Sequence, residues 1–228
     1  MLELEAPRIG WARAIASVAI VCFILLMHLP SQAQAVAEAT CPPSSGSTTS
    51  AGSPSAPTPQ SQILVACVGS QSITEATFQH WSSIAQAAPS SQAGHQPSVA
   101  EVRTQVMNFL ISADWIIGEA RNLNVHVSPA QIRRTFNRTR KAQFPKKGEF
   151  QTFLGKSKET VTDILLRVDL DLLSRGIQRR VVAREHGARK KQEALKRFVS
   201  GFKDKWTAQT YCAAQYASQD CGHVQATL

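Results

Sequence analysis

Two cysteines near the C-terminus carry the clearest covalent chemistry in this 228-residue chain. Cys212 and Cys221 enclose a short loop, which closes readily in an oxidising compartment. A thioredoxin-type redox pair needs two intervening residues, and a zinc site needs more ligands than the nearby His223 supplies. The spacing therefore predicts a structural disulfide. Two alternatives stay open for the others: Cys41 pairs with Cys67, or Cys67 is a buried strand residue and Cys41 is free.

Catalytic patterns are missing from the rest of the sequence. It has no nucleophile elbow, phosphate-binding loop or metal-ligand spacing. Asp169 and Asp171 are two residues apart, so they face different sides of a helix, and His186 stands alone. We therefore predict no catalytic residue, no metal site and no cofactor.

The charge distribution is strongly uneven. The net charge is +9, but residues 121–205 hold 22 Lys or Arg and 8 Asp or Glu, a local net charge of +14. No helix-turn-helix, RNP or zinc-finger motif accompanies this excess, so nucleic acid is not an expected partner. The excess is either a solvated helical surface or a means of attracting anionic membrane, cell-wall polymer or unfolded acidic polypeptides.

The N-terminal segment has the pattern of an export signal. A basic start, an apolar run at Ala14–Leu29 and a small-residue cleavage site predict a signal peptide over residues 1–35. A retained anchor is the alternative, although a membrane-spanning helix needs about 20 apolar residues. A lipid anchor at Cys41 is disfavoured, because Glu38 stands where an aliphatic residue is usual. We expect an extracytoplasmic protein, either secreted or membrane-associated through this segment.

The remaining chain predicts a mainly α fold. Residues 36–62 are rich in Ser, Pro and Thr and predict a disordered linker. Residues 63–207 predict a helical domain with at most a short strand at 63–68, and residues 208–228 a tail with the disulfide loop. The predicted helices start near Thr74, Ser98, Ser128, Glu149, Thr160 and Arg189.

Capping patterns set several of these boundaries. Ser128 with Gln131, and Thr160 with Asp163, have the spacing of capping boxes. Gly155 suits a left-handed C-cap that would end a short helix at Leu154.

Two helices are strongly apolar. The helix at 98–122 is apolar nearly all round, which is typical either of a central buried helix or of a helix that binds something. The last helix, 189–207, carries an apolar stripe that ends at Trp206 and a basic opposite face. We expect it to pack back on the earlier helices with Trp206 buried. His80, on the first helix, is expected at the surface.

The order of these parts resembles a known family. Val125-x-Val127-Ser128 with Ile132, then Phe144-Pro145, Phe150-x-x-Phe153-Leu154 and Thr160-x-x-Asp163-Ile164-Leu165-x-Arg167-Val168, is similar to the N-terminal chaperone domain of SurA/PrsA-type foldases. The upstream segment Ile63–Gly69 followed by Ile73-Thr74-Glu75 is similar to that family's opening strand, turn and first helix. The resemblance covers residues 63–207, and the Thr-Tyr-Cys…Asp-Cys ending resembles tails on members of this family.

This resemblance implies a trigger-factor-like helical domain that binds unfolded or nascent exported polypeptides without ATP. The groove would be formed by the helices at 98–122 and 160–182 and by the last helix. The implied client-binding residues are Met107, Ile111, Trp115, Ile116, Phe136, Phe150 and Phe153.

The isomerase half of such foldases has no counterpart here. Only residues 183–188 separate the third long helix from the last one, which leaves no room for a parvulin domain. The expected function is therefore holding rather than catalysis. The alternatives are a peptidylprolyl isomerase by family descent and a basic helical module that binds anionic membrane or wall polymer.

Overall fold

The computed structural model of the protein describes residues 63–88 and 97–228. The signal peptide and linker predicted for residues 1–62 lie outside these described residues. In chain order the elements are β1 (Leu64–Val68), β2 (Gln71–Thr74), α1 (Glu75–Ala87), α2 (Val99–Asn122), α3 (Pro129–Gln143), α4 (Glu149–Ser157), α5 (Val161–Val182), α6 (Ala188–Thr207), β3 (Thr210–Ala213), a 3-10 turn (Ala214–Tyr216) and β4 (His223–Gln225). The predicted mainly α fold is confirmed.

The strands form a sheet with the order β2-β1-β3-β4. β1 is antiparallel to both β2 and β3, and β4 runs parallel to β3. Ala66 lies opposite Cys212, so the tail at 208–228 is built into the same sheet as the start of the domain. The expectation of at most one short strand is wrong. The tail strands are four and three residues long, and their partner lies far away in the sequence, so local periodicity gives no sign of them.

The disulfide has one end in this sheet. Cys212 is fully buried in β3, and Cys221 is bonded to it with the Cα atoms 5.9 Å apart, as the spacing predicts. The bond joins β3 to the segment that leads into β4. Cys67 is also disulfide-bonded, and its partner lies outside the described residues, as does Cys41.

The main core lies between the sheet and helices α1 and α2. α1 contributes Phe78, Trp81 and Ile84, and the last turn of α6 contributes Trp206, which is buried as predicted. Ser98 and Glu101 form a capping box that starts α2. The core therefore joins both ends of the described chain.

α5 is the hub of the remaining helices, because it contacts α2, α3 and α6. The predicted capping box of Thr160 and Asp163 starts it. α6 packs back as expected, after a connection of only residues 183–187. Its apolar stripe is half-buried except at its end, where Trp206 enters the core.

The predicted end of α4 at Leu154 is wrong. Gly155 lies within the helix, which continues to Ser157 and ends at Lys158 in the left-handed conformation, with φ 57°. Glycine is the usual residue for that conformation, but a lysine at the end of a solvated helix also adopts it at a small energetic cost. Ser128 caps α3 by accepting from the Gln131 backbone N–H, but the second hydrogen bond of the predicted capping box, from the Gln131 side chain to the Ser128 backbone, is not formed.

Candidate functional site

Three of the residues expected to contact clients lie in the main core. Met107, Ile111 and Trp115 are at most 5% exposed, and the Trp115 indole N–H donates to Thr210 Oγ1 at 2.8 Å. α2 is apolar nearly all round because the sheet, α1, α5 and α6 surround it. These side chains therefore hold the domain together in this arrangement. Ile116, on another side of α2, is half-buried.

The phenylalanines expected at the site do come together. Phe136 of α3 and Phe150 of α4 are buried with ring centroids 5.8 Å apart, and the half-buried Phe153 and Phe144 pack beside Phe150. Phe144 and Phe153 are 5.2 Å apart. Short helices with one apolar row each can bury only part of such a cluster, so two of its four rings reach the surface.

A second apolar cluster lies on the other side of α5. Leu173 and Ile177 of α5 and Ala120 of α2 form its buried part, surrounded by half-buried side chains that include Ile116, Val181 and Phe198. Phe198 packs against Phe202, with their ring centroids 5.7 Å apart. The Phe202 ring centroid lies 5.9 Å from that of Trp115. This cluster joins α5 to α6 and α2.

The two clusters on α5 are thin compared with the main core. Among the described residues, the main core has 17 buried apolar side chains and 6 half-buried ones. The cluster around Phe136 and Phe150 has 4 buried and 6 half-buried side chains, and the cluster around Leu173 and Ile177 has 3 buried and 7 half-buried. In each cluster on α5, partly covered apolar side chains therefore outnumber the buried ones. We call this half-buried set the α5 apolar surface: Ile116, Phe144, Phe153, Leu165, Leu172, Val181 and Phe198.

A polar junction fixes the start of α5 against α1. His80 Nε2 and Asp163 Oδ1 are 2.9 Å apart, and the same carboxylate accepts from the Thr160 backbone N–H. Burial alone would raise the pKa of Asp163, but the hydrogen bonds from Thr160 and His80 hold it below its usual value. His80 is 40% exposed, so the expectation of a surface position is only partly met.

Arg167 belongs to the same junction. It forms an ion pair with Glu159 at 2.9 Å and lies over the rings of Trp81 and Phe109, at 5.1 Å and 5.7 Å from their centroids. Burial raises the pKa of Glu159, and Arg167 opposes that rise. Nothing in the sequence pairs these residues, because they lie on three different elements.

A polar cleft of about 510 Å³ lies between the β1–β2 turn, α2 and α6. Arg121 and Lys205 line it, and Lys205 Nζ is 2.6 Å from the buried Glu119 carboxylate. Among the described residues, no three His, Cys, Asp or Glu side chains converge as metal ligands. The cleft offers hydrogen-bond donors but no activated nucleophile, so binding is the chemistry that it can support.

Part of this architecture has a counterpart among known families. The profile of the SurA-like N-terminal domain matches residues 12–158, more than half of the chain. The chain belongs to this family. No curated protein and no solved structure gives a significant match.

The SurA-like family is an extracytoplasmic, chaperone-type family whose members bind polypeptides. The match to the family profile ends at Lys158, one residue after α4. α5, α6 and the tail strands therefore lie beyond the matched region. α5 nevertheless supplies Ile164 and Val168 to the cluster of Phe136, Phe144, Phe150 and Phe153, which we call the phenylalanine cluster. Among the described residues, no helix has the length and apolar character that crossing a membrane requires.

Proposed function

We propose that this SurA-like domain is an exported, ATP-independent holding chaperone that binds unfolded polypeptides on the α5 apolar surface. The observation that carries the proposal is the half-buried state of the two clusters on α5. Helices whose apolar side chains serve only to stabilise the fold bury most of those side chains. In these two clusters, by contrast, more apolar side chains are half-buried than buried.

The chemistry of the surface suits unfolded chains. It consists of Phe, Leu, Ile and Val, which recognise apolar segments without a fixed hydrogen-bonding pattern. Full burial of one such side chain of a client stabilises a complex by about 1.5–3 kcal/mol. Several must be buried together to offset the cost of association, so binding is modest and reversible. Reversible burial is what holding a client requires.

The length of the surface also fits an extended segment. α5 has 22 residues, which corresponds to about 33 Å at 1.5 Å per residue. An extended chain rises about 3.3 Å per residue, so roughly ten residues of a client could lie along it. Because the two clusters lie on opposite sides of α5, one such segment would contact one of them along the length of the helix.

Suppression of aggregation tests this function. We expect the full-length chain, without ATP, to suppress aggregation of a reduced, unfolded model substrate at a near-stoichiometric ratio. Phe153→Ala and Phe198→Ala should each weaken suppression. Val181→Ser, on the surface, and Val99→Ser, which removes a 73% exposed valine elsewhere, form a matched pair, and only the first should have an effect.

Two results would contradict the proposal. One is no suppression at severalfold excess of the protein. The other is equal loss of suppression in the Val181→Ser and Val99→Ser variants, which would separate the activity from the α5 apolar surface. A protease-coupled assay on Xaa-Pro peptides should give the uncatalysed rate, and acceleration would favour the isomerase alternative.

A further inference from the structure

One stretch of the domain carries a dense and uncompensated positive charge. Residues 129–148, which comprise α3 and the loop to α4, contain no Asp or Glu. They contain seven Lys or Arg, which we call the α3 cationic surface: Arg133, Arg134, Arg138, Arg140, Lys141, Lys146 and Lys147. All of them are exposed except Arg140, which is half-buried.

The acidic side chains of the described residues are not paired with this surface. The ion pairs of Arg167 with Glu159, of Lys205 with Glu119 and of Arg175 with Asp171 lie elsewhere, and none of the described ion pairs includes a member of the α3 cationic surface. Glu149 is the first acid after it in the sequence. Its carboxylate accepts from the Lys146 backbone N–H at 3.0 Å, so it is engaged at the start of α4.

The cations adjoin the phenylalanine cluster. The Arg140 guanidinium lies 5.7 Å from the Phe136 ring centroid and 5.8 Å from that of Phe150. Arg133 and Arg140 are three residues before and four residues after Phe136, so both neighbour it along the helix. Phe144, which is half-buried, ends the same helix. Arg133 and Arg140 therefore lie beside the phenylalanine cluster.

We propose that the α3 cationic surface is a subsite that selects acidic residues next to the apolar segments of a client. This inference rests on the proposed holding function and adds a substrate class to it. The cation-to-ring distance of under 6 Å is close to the spacing of about 6.6 Å between side chains two residues apart on an extended chain, which point to the same face. A segment in which Asp or Glu stands two residues from Phe or Leu, on the same face of the extended chain, can thus place a carboxylate on a guanidinium group while its apolar side chain contacts the half-buried Phe144 or Phe153.

Guanidinium groups suit this role because they bind carboxylates in a two-pronged geometry. Their attraction acts over roughly 8 Å at physiological salt, so it also draws acidic segments toward the surface. Apolar burial alone does not distinguish acidic from basic clients. The α3 cationic surface would supply that distinction.

A pair of peptides tests the inference. Both have the same Phe and Leu residues, one flanked by Asp and the other by Lys, and their binding to the full-length chain is followed by fluorescence anisotropy. We expect the Asp peptide to bind about tenfold more tightly at low salt, with the ratio falling toward one at high salt. The triple variant Arg133→Gln, Arg134→Gln, Arg138→Gln should abolish most of this preference.

A matched control keeps the net charge of the variant constant. Arg179→Gln, Arg180→Gln, Arg184→Gln removes three exposed charges at the end of α5, away from the phenylalanine cluster, and should leave the preference in place. Circular dichroism on both variants shows whether they fold.

Each other outcome overturns the inference in a distinct way. Equal binding of the two peptides would remove the acidic selectivity and leave the holding function standing, whereas no binding of either peptide would count against the holding function itself. An equal effect of the two triple variants would assign the preference to net charge. If the α3 variant lost binding to vesicles of anionic lipid but kept the peptide preference, the surface would be a lipid site instead.

Discussion

The indole ring of Trp206 lies directly against the backbone of Gly118, where any side chain would overlap it. The ring nitrogen donates to the Glu119 carboxylate at 2.8 Å, and Lys205 Nζ reaches the same oxygen. α6 is therefore fixed to α2 by close packing and by two charge-assisted hydrogen bonds. This contact places the half-buried part of α6, including Phe198, beside α5.

Gly118→Ala should destabilise the domain. A Cβ at this position would lie within 3 Å of several atoms of the Trp206 ring, which its bond to Glu119 holds in place. We expect a loss of about 1–3 kcal/mol in the free energy of unfolding, measured by denaturant titration. Gly201→Ala, in α6 with open space around it, is the control and should stabilise by about 0.5–1 kcal/mol. Equal effects of the two substitutions would refute the packing argument.

Asp114 should make the domain less stable as the pH rises. Burial raises the pKa of its carboxyl from 3.8 to about 6, and Arg121 only partly opposes this. Between these values the unfolded chain has released the proton that the folded chain still holds, so each step up in pH favours unfolding. Above pH 6 the penalty is complete, and below the ordinary pKa it is absent.

Asp114→Asn should therefore raise the unfolding free energy at pH 8 by on the order of 1–3 kcal/mol and have little effect near pH 4. Thermal unfolding at several pH values measures this difference. Asp204→Asn, which removes one carboxylate at an exposed position of α6, is the control. A gain from Asp114→Asn that is the same at both pH values would contradict the ionisation argument.

Loss of the Cys212–Cys221 disulfide should weaken the domain without unfolding it. Closure of a loop of this size contributes about 2–3 kcal/mol, and the loop leads into β4, which lies at the edge of the sheet of described strands, beside β3. In the double variant Cys212→Ala, Cys221→Ser, alanine avoids placing a hydroxyl at the buried position. We expect the melting temperature to fall by several degrees. An unchanged melting temperature, or free thiols at both positions in the native protein, would show that the bond has no structural role.

The sequence predicted features that depend on neighbouring residues. The caps at Ser128 and Thr160 and the burial of Trp206 follow from local spacing, and the structure confirms them. The tail strands and the His80–Asp163 contact join segments far apart in the chain, so no local pattern indicates them. Gly155 shows why the end of α4 was predicted wrongly: glycine is common just after a helix end, but it is also tolerated within a helix, as it is here.

The candidate site was predictable only in part. Apolar periodicity identifies Met107, Ile111 and Trp115 as members of an apolar helix but does not say which face the sheet covers. The sheet covers them because β3 returns to β1, a long-range pairing. Phe153 and Ile116 remain half-buried, since the short helices and α6 cover them incompletely. The role of the whole set in binding clients stays a prediction.

Site-specific photo-crosslinking tests the central claim most directly. A photoreactive phenylalanine analogue would replace Phe153 or Phe198 on the α5 apolar surface, or Val99 or Val224 at exposed positions elsewhere. The full-length chain would then be irradiated with an unfolded client and with the same client in its folded form. We predict adducts at positions 153 and 198 with the unfolded client only, and few at 99 and 224. Equal yields at all four positions, or higher yields at 99 and 224, would contradict the claim that unfolded polypeptides bind on the α5 apolar surface.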